Sequence, residues 1–281
     1  MQVRTDLALE TVGEKGELKE KSFGRLKAKL CSLNDDDEKN GFCRGDYLTL
    51  DVGTLWNESV ESFKEKTVGL SFAIRELLGD MHGKRVMVAG LGNRHVTADA
   101  LGPLAIENIL VTSHIKKEKR ELFLSLGLEE VCAISPGVLG QTGIESATVI
   151  KSVCSAVKPE LVIAIDALAA HRLERLGRTV QVSSCGFSPG GGVGNVRSCI
   201  NTKSLGCRVL TVGVPTVVNA LTLAGELGGI RRESGLWSEL FVTPKETDTI
   251  IKTMGVFIAY AVNLALNPGL DYDTMLSLAA V

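Results

Sequence analysis

Two aspartates, Asp99 and Asp166, each follow a predicted strand, so that a sheet would bring their side chains together. Asp99 follows the apolar run Val86–Ala89 and a glycine-rich turn, and Asp166 directly follows the apolar run Leu161–Ile165. Short apolar runs of this kind are typical of strands that are covered on both faces. Because ligands and reactive groups gather at the carboxyl ends of strands in open α/β sheets, we expect both carboxylates at one rim.

Such a pair of carboxylates has a definite chemistry. When their surroundings separate their pKa values, one carboxylate can activate a water molecule and the other can protonate a leaving group. The alternative is structural, since each aspartate can simply cap the helix that follows it. Spacing alone leaves both interpretations open.

The turn that precedes Asp99 contains Gly90 and Gly92, which allow the backbone to turn sharply after the strand. It departs from the GxGxxG pattern of dinucleotide-binding turns, because His95 occupies the place of the third glycine. Asn93 belongs to the same turn. We therefore interpret the turn as support for an acidic side chain rather than as a nucleotide site.

Three other groups of residues are candidates for contact with a substrate. His95 lies near Asp99 and His171 lies near Asp166, and a plain surface position is the alternative for each histidine. The loop Ser188–Asn195, with Gly190, Gly191, Gly192 and Asn195 itself, follows another predicted strand. Its backbone N–H groups could line a peptide groove, bind a phosphate or serve an oxyanion, but it lacks the Gly-Lys-Ser/Thr ending of a P-loop.

The remaining composition narrows the class of protein. The 281 residues carry a formal net charge of -2, which argues against nucleic-acid binding by phosphate neutralisation. The four histidines show no HxxxH spacing and the seven cysteines no CxxC pair, so we predict no metal, no cofactor and a reducing compartment. No uninterrupted apolar run reaches the roughly 18 residues of a membrane span, and no signal peptide is visible, so we expect a soluble intracellular protein.

From Arg85 onward, predicted strands alternate with predicted helices. This order favours a three-layer αβα sandwich with a mostly parallel twisted sheet over residues 85–268. Residues 1–84 are predicted to form an irregular subregion packed on that core, within a single domain. The predicted strands are Tyr47–Val52, which we expect to be exposed, Val86–Ala89, Val131–Ile134, Leu161–Ile165, Thr179–Ser183 and Arg208–Val214. The predicted helices are Glu14–Lys29, Ser62–Met81, Asp99–His114, Gly143–Val157, Leu168–Leu176, Val217–Leu227 and Lys245–Leu266.

The stretch Gly90–Pro103 resembles the signature of the germination protease family of spore endopeptidases. Further segments that agree with that family, in order along nearly the whole chain, are Val3–Ala8, Ala164–Ala170, Ser188–Asn195, Val212–Val218 and Val242–Glu246. The resemblance implies an endopeptidase of unusual aspartic type that degrades small acid-soluble spore proteins at germination, in the cytoplasm of the spore core. It also implies that Asp99 and Asp166 are the two essential aspartates.

Family resemblance carries further expectations. The fold would be similar to that of the hydrogenase-maturation endopeptidases, and members are typically homotetramers that are made as zymogens. Only Met1, Gln2 and Val3 precede Arg4 here, where the family prosegment normally lies, so zymogen control stays open. We expect neither a nucleic acid nor a membrane as a partner.

Two other functions compete with this interpretation. A hydrogenase-maturation endopeptidase would use nickel for recognition, but such enzymes usually place an extra acid beside the first aspartate, where Ala100 stands. A non-catalytic sporulation protein of similar fold is the second alternative. It would not need to keep both Asp99 and Asp166, so their joint presence favours an enzyme.

Overall fold

One mixed sheet of nine strands organises the computed structural model, which describes residues 5–11, 18–35, 42–186, 199–226 and 240–279. The strands are β1 (Leu18–Phe23), β2 (Leu26–Leu33), β3 (Gly45–Asp51), β4 (Arg85–Gly90), β5 (Glu130–Ile134), β6 (Leu161–Ala170), β7 (Thr179–Ser183), β8 (Arg208–Asn219) and β9 (Phe241–Val242). They follow the order β1-β2-β3-β7-β8-β6-β4-β5 across the sheet, and β9 pairs with β8.

The prediction of a mostly parallel sheet is wrong. Parallel pairing joins β5 to β4, β4 to β6 and β6 to β8. Every other strand pair in the described residues is antiparallel. The reason is that β7 runs antiparallel to β8 and pairs on its other edge with β3. The N-terminal strands β1, β2 and β3 then extend the sheet by antiparallel pairing.

The helix predicted over Glu14–Lys29 is also wrong, because residues 18–33 form the hairpin of β1 and β2. Gly24, at a φ of +58°, lies in the turn between the two strands. Along β2, buried Leu26 and Ala28 alternate with exposed lysines, which is the period of a strand with one covered face. The prediction that residues 1–84 are irregular is wrong for this hairpin. The strand predicted at Tyr47–Val52 and the helix predicted at Ser62–Met81 are confirmed, as β3 and as a helix over Val60–Leu78.

The helices lie on both sides of the parallel strands. They are α1 (Ala8–Thr11), α2 (Val60–Leu78), α3 (Leu101–Ile106), α4 (Ser113–Glu118), α5 (Arg120–Ser125), α6 (Leu139–Thr142), α7 (Ser146–Val157), α8 (Thr202–Leu205), α9 (Ala220–Glu226), α10 (Thr247–Leu266) and α11 (Tyr272–Ala279). Along β4, Val86 and Val88 join the core formed with α2, α3 and α10, whereas Met87 and Ala89 join a second cluster with Ile150 of α7.

Helix α10 is long and apolar enough to cross a membrane by length and composition alone. In this fold 72% of its most apolar window is buried. Met254, Phe257 and Ile258 belong to the main core, and they are completely buried. The helix therefore serves as the central core helix of the domain.

Strands β6 and β8 extend into segments for which helices were predicted. β6 continues to Ala170 and β8 continues to Asn219, so the helix predicted over Leu168–Leu176 is wrong and the one after β8 begins later. The two extended ends pair with each other, and Leu168, Ala170 and Val218 form an apolar cluster with Leu7. Tertiary pairing has overridden the local helix-forming composition. The prediction that β3 is exposed is also wrong, because four of its residues in succession are buried.

Candidate active site

The site lies where β4 leaves β6. Gly90 pairs with Ile165, and the Leu91 N–H donates to the Ile165 carbonyl over 2.8 Å. Beyond that bond β4 ends, while β6 continues through Asp166 to Ala170. Asp166 therefore lies inside its strand, beside the end of β4, and not at the end of its own strand as the sequence predicted. Asp166 is only 6% exposed.

Asp99 reaches the same place from the turn that follows β4. It ends the 3-10 turn Thr97–Asp99, and its Oδ2 accepts the N–H of Asn93 over 2.8 Å. The following helix α3 begins at Leu101 with no side-chain cap. Because β6 also continues past Asp166, neither aspartate is the N-cap of a helix, and the helix-cap alternative is wrong for both.

Both carboxylates bind backbone groups at the point where the hydrogen bonds between β4 and β6 stop. In a parallel pair continued in the same register, the Ala167 N–H would donate to the Leu91 carbonyl, and the Asn93 N–H would donate to the Ala167 carbonyl. Instead, Asp166 Oδ1 accepts the Ala167 N–H over 2.9 Å, and Asp99 takes the Asn93 N–H. Each carboxylate thus accepts one of the two backbone N–H groups that a longer pairing of β4 with β6 would have used.

Glycines make this close approach sterically feasible. A Cβ on Gly92, which has a φ of +110°, would lie 1.9 Å from the Asp99 carbonyl oxygen. A Cβ on Gly90 would lie 2.3 Å from the Gly102 carbonyl oxygen at the start of α3. Both predicted glycines therefore act by allowing the backbone segment that carries Asp99 to pack onto β4.

A buried threonine that no sequence pattern singled out holds the turn from the other side. The Thr216 hydroxyl donates to the Ala98 carbonyl over 2.7 Å, next to Asp99. Thr216 is the extra residue of a β-bulge in β8, because Pro215 pairs with Leu168 and the next pair joins Val217 to Ala169. The Thr216 carbonyl in turn accepts the Thr243 hydroxyl over 3.0 Å.

Thr243 also lines a pocket of about 350 Å³. Most of the pocket's lining surface is apolar, and Trp56, Leu173 and Ile250 contribute to it. The pocket is therefore connected to the Asp99 turn through Thr243 and Thr216.

The two predicted histidines behave differently. His95 is exposed beside the site, and its N–H donates to the Asn93 side-chain carbonyl over 3.0 Å. The same oxygen accepts the Gln141 amide over 2.7 Å. His171 follows β6 about 16 Å along the strand from Asp166, so the structure does not bring it to the carboxylates.

A buried glutamate binds the backbone at His171. Glu10 Oε2 accepts the His171 N–H over 2.6 Å and the Thr5 hydroxyl, while Oε1 accepts the Arg172 N–H over 3.1 Å. Arg175 forms an ion pair with the same carboxylate over 3.0 Å, and the Glu10 side chain is only 2% exposed. These contacts fasten the N-terminal segment beside the far end of β6.

The loop Ser188–Asn195, including Gly190, Gly191 and Gly192, lies outside the described residues. Within the described ranges, no three His, Cys, Asp or Glu side chains lie together as metal ligands would. The prediction that no metal takes part stays a prediction.

Comparison with known proteins identifies the family. A family model described as "Germination protease" matches residues 8–227. The chain belongs to the germination protease family. The germination protease of Clostridium tetani is 38% identical over 318 aligned residues, covering 97% of this chain and 98% of that protein. The Bacillus subtilis germination protease is 41% identical over 241 residues, covering 80% of this chain and 65% of that protein.

Family membership makes this chain a peptidase and confirms the resemblance drawn from Gly90–Pro103. Among solved structures, the NiFe hydrogenase maturation protease HycI from Thermococcus kodakarensis KOD1 is similar with a TM-score of 0.38 and 17% identity. That match covers 69% of this chain and 98% of the other.

Proposed function

We propose that this chain is an endopeptidase of small acid-soluble spore proteins, in which Asp99 and Asp166 share the activation of one water molecule. Membership of the germination protease family supports the substrate class. The observation that supports the two roles is that, beyond the end of β4, each carboxylate accepts a backbone N–H that a longer pairing of β4 with β6 would have used.

The proposed reaction needs one water and no other reactant. One carboxylate takes a proton from the water as the water oxygen attacks the carbonyl carbon of the scissile peptide bond. The other, protonated, carboxyl donates a hydrogen bond to the carbonyl oxygen. It then gives its proton to the leaving amine as the C–N bond breaks, so that one acid and one amine result.

The two carboxylates lie in different surroundings, which supports separate roles as acid and base. Asp166 is buried within β6, whereas Asp99 is half-buried on a turn. Pairs of titratable groups in different environments are those that act as acid and base. The loop Ser188–Asn195 would offer its N–H groups to the peptide or to the developing oxyanion.

The wider biology follows from the family and belongs to the same proposal. The enzyme would act in the cytoplasm of the spore core as a single peptidase domain and would assemble as a homotetramer. It would not bind nucleic acid directly, and it would need neither a cofactor nor a membrane.

The test is cleavage of a purified small acid-soluble spore protein by the wild type and by Asp99→Asn and Asp166→Asn. In either variant an amide oxygen can still accept the local backbone N–H, so the fold should persist. We expect the cleavage rate to fall by at least about a hundredfold in each variant. The matched control is Asp80→Asn on an exposed turn, which should cleave at the wild-type rate.

Full activity in both variants would contradict the two-aspartate mechanism. Loss of cleavage with a chelator and its return with nickel would favour the hydrogenase-maturation type instead. Binding of the spore protein without any fragments would favour a non-catalytic relative.

A further inference from the structure

Among the described residues, the edge of β6 that faces β4 has one backbone carbonyl without a donor, and it lies beside Asp166. On this edge the Ile165 carbonyl accepts the Leu91 N–H over 2.8 Å, and the Ala169 carbonyl accepts the Asp6 N–H over 2.9 Å. Backbone groups alternate along a strand, so the carbonyl of Ala167 points to the same edge. The Ala167 carbonyl lies between these two hydrogen-bonded carbonyls. A further extended segment between Leu91 and Asp6 could supply its donor.

No donor reaches that carbonyl from the described residues. The Ala167 N–H is bound by the Asp166 carboxylate, and the Asn93 N–H, which a continued β4 would have offered, is bound by Asp99. Ala167 is also the one residue of β6 that is not buried. Ala167 is therefore partly exposed, and a half-buried carbonyl gains from finding a donor.

We propose that the Ala167 carbonyl binds a backbone N–H of an extended peptide substrate, which lies between Leu91 and Asp6 along the edge of β6. The inference rests on the proposed function and deepens it. An extended peptide is the occupant that fits, because a strand edge recognises a chain by its main-chain N–H groups. Leu91 and Asp6 already show this form of contact on each side.

The location suits peptide cleavage. The uncovered stretch between Ile165 and Ala169 spans about 13 Å, which holds roughly three residues of an extended chain. A chain seated there passes directly beside Asp166 and beside the segment 91–93 that binds Asp99. The backbone contact would fix the position of a scissile bond independently of its side chains.

The test is an amide-to-ester scan of a peptide taken from the cleaved region of a small acid-soluble spore protein. An ester removes one N–H at a time while it keeps the chain's shape. Binding is measured by fluorescence anisotropy to the full chain carrying Asp99→Asn. One replacement should weaken binding at least about fivefold. Replacements at the two adjacent positions should change it less than twofold, because their groups point away from the edge.

A second measurement places the contact on the protein. Carbonyl ¹³C chemical shifts of the same variant are compared with and without the unmodified peptide. The Ala167 carbonyl resonance should move downfield on binding, whereas that of Ala169, which already accepts the Asp6 N–H, should not change. A scan without a single sensitive position, or an unchanged Ala167 carbonyl shift, would overturn the inference.

These results remain distinct from those on the proposed function. If the wild type cleaves the unmodified peptide and the scan is flat, the edge contact fails and the endopeptidase stands. If one ester position weakens binding but the wild type cuts nothing, the edge contact stands and the endopeptidase fails. A peptide that neither binds nor is cut overturns both.

Discussion

The Asp99 carboxylate accepts a hydrogen bond from the N–H of Asn93 over 2.8 Å, across the turn that carries both residues away from β4. The contact makes the orientation of the carboxylate depend on the shape of that turn. Gly92 lies directly against the Asp99 carbonyl, and Thr216 holds the Ala98 carbonyl. Gly92 and Thr216 can therefore decide whether the Asp99 carboxylate is correctly placed.

Replacement of Gly92 by alanine is expected to disrupt the site. The new Cβ would lie 1.9 Å from the Asp99 carbonyl oxygen, and the φ of +110° disfavours any side chain. We expect the free energy of unfolding to fall by about 2–4 kcal/mol and cleavage to be lost. Urea unfolding and spore-protein cleavage measure the two effects.

Gly140 in α6 offers the matched control for that variant. A Cβ at Gly140 meets nothing within 4 Å. Gly140→Ala should leave cleavage unchanged and raise stability by about 0.5–1 kcal/mol, because alanine favours a helix. Equal effects of the two variants would argue against the steric explanation.

Thr216→Val is expected to reduce activity through the Asp99 turn. The variant keeps the side-chain shape but leaves the Ala98 carbonyl without its 2.7 Å donor. The cost is about 1–3 kcal/mol of stability. We expect kcat to fall more than KM rises, and Thr216→Ser to restore both. Activity in Thr216→Ser no better than in Thr216→Val would mean that packing, and not the hydroxyl, matters.

The sequence predicted individual strands more accurately than it predicted how the strands pair. Val86–Ala89 and Thr179–Ser183 are strands as expected, because their apolar and β-branched residues agree with burial in the sheet. The aspartate pair followed from the same pattern. By contrast, residues 168–170 have the composition of a helix, and only pairing with the end of β8 makes them strand.

Two features of the structure had no local signal in the sequence. The bulge at Thr216 depends on a register shift between β6 and β8, which appears only when both strands are paired. The role of Glu10 depends on donors more than 160 positions away along the chain. Long-range contacts of this kind cannot be derived from periodicity, which reports only the covered face of one element.

Glu10→Gln is expected to loosen the N-terminal segment. Within the described residues, the groups that contact this carboxylate are donors, from Thr5, His171, Arg172 and Arg175, so an amide NH₂ would face one of them. We expect a loss of about 2–4 kcal/mol in urea unfolding. Amide exchange at Ala169 should become faster in parallel, since Asp6 covers that residue.

A double-mutant cycle with Arg175→Gln isolates the ion pair within that effect. The two side chains are 2% and 18% exposed, so a coupling energy of about 1–3 kcal/mol is expected. Glu174→Gln is the control, because its pair with Arg172 is well exposed and spans 3.7 Å. It should change stability by less than about 0.5 kcal/mol. A coupling energy near zero would contradict the proposed anchor.

Glu130 should give the protein a measurable dependence of stability on pH. Burial raises the pKa of this carboxyl, but hydrogen bonds from Lys116 and Arg85, both at 2.7 Å, outweigh it and hold the pKa below 4.5. The folded state therefore binds protons less readily than the unfolded chain, so the stabilisation is complete above about pH 5 and is lost as the pH falls through the folded value. We expect Glu130→Gln to be less stable than the wild type at pH 7, with the difference shrinking steadily towards pH 3 in urea unfolding. Glu118→Gln, on the exposed end of α4, should instead follow the wild-type curve throughout. A wild-type advantage over Glu130→Gln that stays constant down to pH 3 would rule out this carboxylate as the source.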